Sequence, residues 1–297
     1  MKRDITPMNL RQIFTIILCT IASVAAASAQ VSVVEPDLSI NTKIASGYFG
    51  PNALPIPDML DGTTSSTFLF EFGGDYFDGH LGDKTYDIHT KVVIPLFSDR
   101  VNVTGWIQSI YEYYEMSQAS RENSRLPDEI ESTGIEAGDA YLTTDIHAIR
   151  QTKYLPDVSI RLGLKTAMGY GFFKARYFDS PGYFFDTSVA KSIKLQDRFV
   201  EEIRGVLNFG FLCWQTDNGR QNDAIMYGAQ IKLRTRLFTL TESYGGYSGW
   251  EHDGDCPQSI KSELRFRLGH IEPYLQHQYG FRDWPFTQYR LGVGYRF

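Results

Sequence analysis

Cysteine is scarce in this chain: Cys19 sits in the first thirty residues, which leaves Cys213 and Cys256 further on. Both fall near expected outer loops, and one disulfide or two unpaired thiols would each suit that position. There is no CxxC, no HExxH, no phosphate-binding P-loop and no dinucleotide-type glycine pattern. A thiolate metal site or a nucleotide-driven enzyme therefore has no sequence basis. The acidic stretch 253–255 is too short for a calcium loop. After residue 30 no run approaches eighteen consecutive apolar residues, so helical membrane spans are not expected. Positive charge is also in deficit. The net charge is -6, and removing residues 1–29, with three basic and one acidic side chain, makes it -8. Nucleic acid is a poor partner for such a surface.

What is present begins with a leader. Lys2, Arg3 and Arg11 precede an apolar run from Ile13 to Ala26, and Ala27-Ser28-Ala29 supplies small residues for cleavage near Gln30. Residues 1–29 are expected to be a removable export signal; a retained anchor would need a longer apolar run and a stop-transfer flank. Residues 30–63 hold a dense group of turn-formers around GYFGPNALPIPD. That composition suits a leader lying on a barrel mouth, a small plug or a disordered segment, and not a long strand or helix.

From residue 64 the chain alternates with a period of two. Phe68, Phe70 and Phe72 oppose Glu71, Gly73 and Asp75; Val101, Val103 and Ile107 oppose Asn102, Thr104 and Gln108; Val158, Ile160 and Leu162 oppose Ser159, Arg161 and Gly163. Short turns are expected near 98, 156, 197, 235 and 269, with longer polar connections at most alternate junctions, including a purely loop-like 116–137. Twelve strands result. Dropping the two weakest, among them the one where Lys191 shares the parity of Val189 and Ile193, would leave ten; splitting 31–63 would give fourteen. A mean hydropathy of -0.26 fits a soluble domain equally well, because an alternating barrel shows half of each strand to water. A secreted sandwich or lipocalin-like barrel would carry the same periodicity with its apolar parity turned inward. The length of the strands, and Trp214, Trp250 and Trp284 at expected outer strand ends, favour a membrane-spanning barrel with an aromatic belt.

The last stretch, 286–297 (FTQYRLGVGYRF), places Tyr289, Leu291, Val293, Tyr295 and Phe297 on one parity and Arg290, Gly292, Gly294 and Arg296 on the other. With the leader, this aromatic closing strand resembles that of bacterial outer-membrane β-barrels. The resemblance covers about the last 230 residues and specifies a class. It implies an all-β, single closed antiparallel transmembrane barrel over 64–297, with short periplasmic turns and longer outer loops. It also implies contact with outer-membrane lipid and reading of Phe297 by the barrel-insertion machinery. Oligomeric state stays open.

If the apolar parity faces lipid, the other lines a charged lumen. A basic ladder of Lys232, Arg234, Arg265, Arg267 and Arg290 would face Glu112 and Asp145, with Glu202 nearby, and a small polar or charged solute would pass between them. The competing account has these charges pair and fill the interior. Asp87, His89, Gln108 and His147 are expected at one height on adjacent strands, as a hydrogen-bonded layer or, less simply, a metal or acid–base cluster. No catalytic residue, metal or cofactor is assigned. The functional expectation is a porin-like channel for passive diffusion. One alternative is a structural, adhesion or assembly barrel whose outer loops, 116–137 and the aromatic 170–185, bind a partner. Another is an outer-membrane lipid hydrolase, although no His-x-Ser lies on any strand.

Overall fold

The computed structural model describes residues 45–97, 99–178, 180–195, 199–216, 220–251 and 253–297. The export signal expected at 1–29 and the turn expected near 197 lie outside the described residues. The strands are β1 (Leu69–Gly79), β2 (Lys84–Leu96), β3 (Val101–Glu115), β4 (Thr133–Glu136), β5 (Ala140–Ile149), β6 (Asp157–Lys165), β7 (Gly182–Lys194), β8 (Val200–Thr216), β9 (Arg220–Thr235), β10 (Phe238–Gly249), β11 (Gln258–Phe266), β12 (Ile271–Arg282) and β13 (Phe286–Arg296). Every ladder is antiparallel, each barrel strand pairing with its sequence neighbour. The ring closes where β1 pairs with β13, from Leu69 opposite Arg296 to Gly79 opposite Phe286. Twelve strands make the barrel; β4 is a short rib on the far end of β3. Closure leaves no row of unpaired backbone groups facing hydrocarbon.

The alternation decides between membrane and water. Leu207 and Phe209 on β8 are 66% and 65% exposed, while Asn208 between them is 6% exposed. Apolar side chains point out and polar ones in, the reverse of a soluble lipocalin-like barrel. No helix among the described residues is long and apolar enough to cross a membrane. Lys191 does point outward from β7, between Val189 and Ile193. Its ammonium donates to the carbonyls of Thr152, Lys153 and Leu155 at the adjoining turn, so the long stem lies on the wall while the charge leaves it.

Connections differ in length between the two ends. One end carries the links from β2 to β3, 150–156, 236–237 and 267–270; the other carries 80–83, 116–139, 166–181, 250–257 and 283–285. Only 116–139, 166–181 and 250–257 of the second set are long, so the expected asymmetry rests on three loops. The short-turn end is the periplasmic one in barrels of this construction. Segment 116–137 is more than loop: it holds a helix, Gln118–Asn123, and β4. Ser117 caps the helix by accepting from the Ser120 N–H at 3.0 Å, and Arg121 donates to the carbonyls of Pro127 and Asp128 to close the loop behind it.

Candidate functional site

Residues 45–67 run through the inside of the barrel. At the long-loop end the Gly50 N–H donates to Ala175 O at 2.8 Å, and the Trp284 indole donates to Pro51 O at 3.0 Å. Further in, Asn52 donates to Asp87 (2.7 Å) and Glu112 (3.1 Å), and the Tyr247 hydroxyl donates to Leu54 O. Lower still, Lys261 pairs with Asp58, Lys232 with Asp61 at 2.7 Å, and Arg204 donates to Asp61 O. At the short-turn mouth Arg296 reaches Ser65 and Thr67 at 3.2 Å. Pro51, Pro55 and Pro57 each lack an N–H to offer a ladder; Pro51 sits in a turn closed by the Ala53 N–H donating to Gly50 O at 3.2 Å, after a short 3-10 helix at Ser46–Tyr48. Glycine permits the close passage. A Cβ on Gly50 would lie 2.6 Å from Arg176 Cζ, and one on Gly228 2.4 Å from Met59 Sδ.

The strap divides the lumen. In the outer half its Phe49 stacks on Phe178 with centroids 4.5 Å apart, in one cluster with Leu54, Tyr141, Phe184, Trp214 and Tyr247. The cavity remaining between residues 51–58 and the wall is about 60 Å³. Loop 166–181 folds down to complete it. Arg176 is 1% exposed, donates to Glu112 from Nε (2.8 Å) and Nη2 (2.6 Å), and lies over the Tyr114 ring. Tyr177 donates to the other Glu112 oxygen at 2.5 Å. Burial and that carboxylate push the Tyr177 phenol well above its usual range, which keeps it a donor. Residues 172–178 of the aromatic segment thus turn inward, while Tyr183 and Phe185 face out from β7. Trp214 and Trp284 are buried inside with the strap, and only Trp250 is exposed as a belt residue would be. An aromatic at a strand end can take either side, and here the strap supplies an inner surface to cover. Cys213 and Cys256 are both free and buried.

The inner half is a chamber of about 770 Å³, lined among others by Lys91, Asp145, Arg161, Lys232, Glu263 and Arg265. The ladder residues all point inward, but each meets its counter-charge nearby and not across an open lumen. Arg290 grips Asp75 on the adjacent strand with Nε (2.6 Å) and Nη2 (2.8 Å). Arg265 joins Glu71 (2.5 Å), Glu263 and Glu272 and covers the Tyr274 ring. Arg234 pairs with Glu202 at 2.8 Å, Arg267 with Glu201, and Lys232 with the strap's Asp61. Asp145 accepts from Thr104, with Arg161 on the opposite β6 position. Lys261 beside Asp58 and Lys232 beside Asp61 hold both carboxyls far below the ordinary range.

Of the expected layer of Asp87, His89, Gln108 and His147, the first three do stand at neighbouring levels on β2 and β3, and His147 does not join them. His89 bonds Asp75 (3.0 Å) and Tyr274 (2.9 Å), and Asp87 lies opposite Glu112. Gln108 sits level with Asp139, whereas His147 accepts its register beside Arg100 and bonds Asp157 at 2.9 Å. Level with Ile107 on β5 is Ala140, seven residues from His147, about 23 Å along a strand. Counting from the turn at 156 misplaced it, because the connection after Ile149 is seven residues long. What does converge is Asp75, Asp87 and His89, whose ligand atoms lie within 4.8 Å. The Arg290 guanidinium already takes both Asp75 oxygens, so an internal ion pair fills that seat. Sequence reasoning missed Asp75 and Asn52, the first because its partner arrives through barrel closure and the second because the strap had no predicted path.

Among the described residues no acid–histidine–nucleophile triad is assembled. Glu242, Ser262 and His277 do occupy consecutive cross-strand positions on the outer wall, a convergence the sequence hid because it arises through register. The Ser262 hydroxyl donates to Glu242 at 2.6 Å, which leaves the imidazole outside the acid–nucleophile pair and not between them.

A closed twelve-stranded sheet with an apolar outer wall and a charged interior defines a bacterial outer-membrane β-barrel. An outer membrane channel from Pseudomonas putida F1 has this fold: the TM-score is 0.53 at 12% identity, covering 89% of this chain and 100% of that one. The NanC porin (TM-score 0.48, 12% identity, 77% of this chain and 100% of that one) and the KdgM porin (0.45, 9%, 77% and 99%) are more distant. No protein-family model and no curated protein matches the chain.

Proposed function

We propose that this barrel is a porin-like channel for small polar or charged solutes, closed in the present conformation by its own residues 45–67. The observation that carries this reading is the division of the lumen: a charged chamber of about 770 Å³ ends against an aromatic plug that leaves about 60 Å³. Below the plug, the strap is tied mainly by ion pairs and hydrogen bonds, which can exchange with water and solute, and passage needs only its displacement. The inward course of residues 172–178 favours gating over a flat aromatic adhesion surface. Phe297, exposed at the last strand and edge-on to Phe68, is the residue offered to the insertion machinery.

The test is single-channel conductance in planar bilayers of the refolded chain and of a Met59→Cys/Gly228→Cys double variant, which ties the strap to β9. The reduced variant and the wild type are expected to show steps that oxidation abolishes in the variant alone. A heat-modifiable, folded barrel with no steps in any state would sink the channel reading, and equal conductance in both redox states would sink the strap's part in it.

A further inference from the structure

The outer wall is not uniform. Across β5 to β8 the outward side chains in the middle of the spanning band carry no ionisable group: Leu142, Ile160, Leu162, Phe185, Leu207 and Phe209 are exposed, with the hydroxyls of Thr144 and Thr187 among them. Across β10 to β12 the middle of the band instead carries Glu242, Ser262 and His277. Each lies between outward apolar neighbours on its own strand: Leu240 and Tyr244, Ile260 and Leu264, Leu275 and Tyr279. Glu242 is opposite Ser262, and Ser262 opposite His277, so the three form one row across three strands. Glu242 and His277 are exposed. The Ser262 hydroxyl answers one carboxylate oxygen, and His277 rests beside the Tyr289 ring at 5.2 Å. Unlike Lys191, neither side chain is long enough to carry its polar end out of the band.

Ionisable groups in hydrocarbon are costly and are normally met by a protein partner or a water-filled cavity. Here the order of the row names the partner. With the hydroxyl central, the acid on one side and the imidazole on the other, a two-fold axis along the membrane normal through β11 lays Glu242 of each copy towards His277 of the other. Such a surface is self-complementary, as an isologous interface requires. The adjoining shallow concavity, walled by Leu240, Leu264, Leu275 and Leu291, gives the same face apolar relief for side chains of the facing copy. We propose that β10–β12 is the dimer face of this barrel, with a second copy of the chain as its occupant.

The experiment is cysteine crosslinking in native outer membranes, because Ser262 lies on the proposed axis. Oxidised Ser262→Cys should give a band of twice the chain mass, whereas Leu142→Cys on β5, at the opposite side of the ring, should not. Glu242→Leu, which makes the wall more apolar and keeps a heat-modifiable fold, should shift protein in mild detergent from dimer towards monomer by at least tenfold in the dissociation constant. A monomeric wild type in detergent and in nanodiscs with no Ser262→Cys dimer would overturn the proposal. So would a crosslink to a different protein, or a three-copy ladder from paired Glu242→Cys and His277→Cys without the Ser262→Cys dimer.

Discussion

The two halves of the lumen are built from the same twelve strands and solve burial in opposite ways. The outer half is dry. There Trp214, Phe184, Tyr141 and Phe178 close on the strap's Phe49 and Leu54, and the buried charge pair Glu112 with Arg176 has nearly every donor and acceptor answered. The inner half is wet. Its charges are more numerous and those on the strap are partly solvated: the Lys232–Asp61 pair is 24% and 33% exposed, against 1% and 0% for Arg176–Glu112. The same type of ion pair therefore means different things at the two levels. Above, losing a partner strands a charge without water; below, water replaces it.

The largest effect should come from the outer half. Arg176→Ala leaves Glu112 buried with only Tyr177 and Asn52 as donors, and should cost about 3 kcal/mol or more in barrel stability, read as a lower unfolding temperature by heat modifiability. Pairing Arg176→Met with Glu112→Leu should recover most of that loss; if it does not, the cost lies in loop packing and not in the unpaired charge. Trp214→Ala tests the dry side directly. It opens a cavity against Tyr141 and Phe184 and should destabilise by about 3 kcal/mol, without altering ion selectivity.

Smaller changes belong to the chamber. Asp61→Asn frees Lys232 and loosens the strap, at a cost of about 1 kcal/mol or less in stability. Its readout is open probability, which should rise, together with a shift of reversal potential towards anions. The smallest effect is that of acid. Asp58 and Asp61 have carboxyls depressed in the folded state, so the stability they add is complete above the free carboxyl value near about 3.9 and fades only as pH falls below it. Strap closure should thus be flat from pH 8 to about 4.5 and weaken beneath; a conductance rising steadily between pH 7 and 5 would assign the gate to other groups.

Much of this was legible in one dimension. Period-two alternation reports which face of a strand meets lipid without any knowledge of its neighbours, so the inward parity of Lys232, Arg265, Arg290, Glu112 and Asp145 could be read directly. The turns after Leu96 and Thr235 could be read for the same local reason. Helix Gln118–Asn123 was missed because one and a half turns leave no periodic signal, and the capping Ser117 is visible only once a helix is suspected.

What parity cannot carry is height. His89 and His147 share a face but not a level, because level accumulates every loop length and bulge between them, including the shift between Ile88 and Thr90. The strap is the other case. Its prolines and glycine forbid a strand, and that much is local chemistry, but its path depends on a closed ring offering Lys261, Lys232 and Arg204 along one line. By itself the sequence determined the class of this protein, its lipid face and the signs of charge inside it. Only the tertiary structure decided that those charges are paired, that the outer half is shut, and that Glu242, Ser262 and His277 share a row, since each of these rests on contacts between strands far apart in the chain.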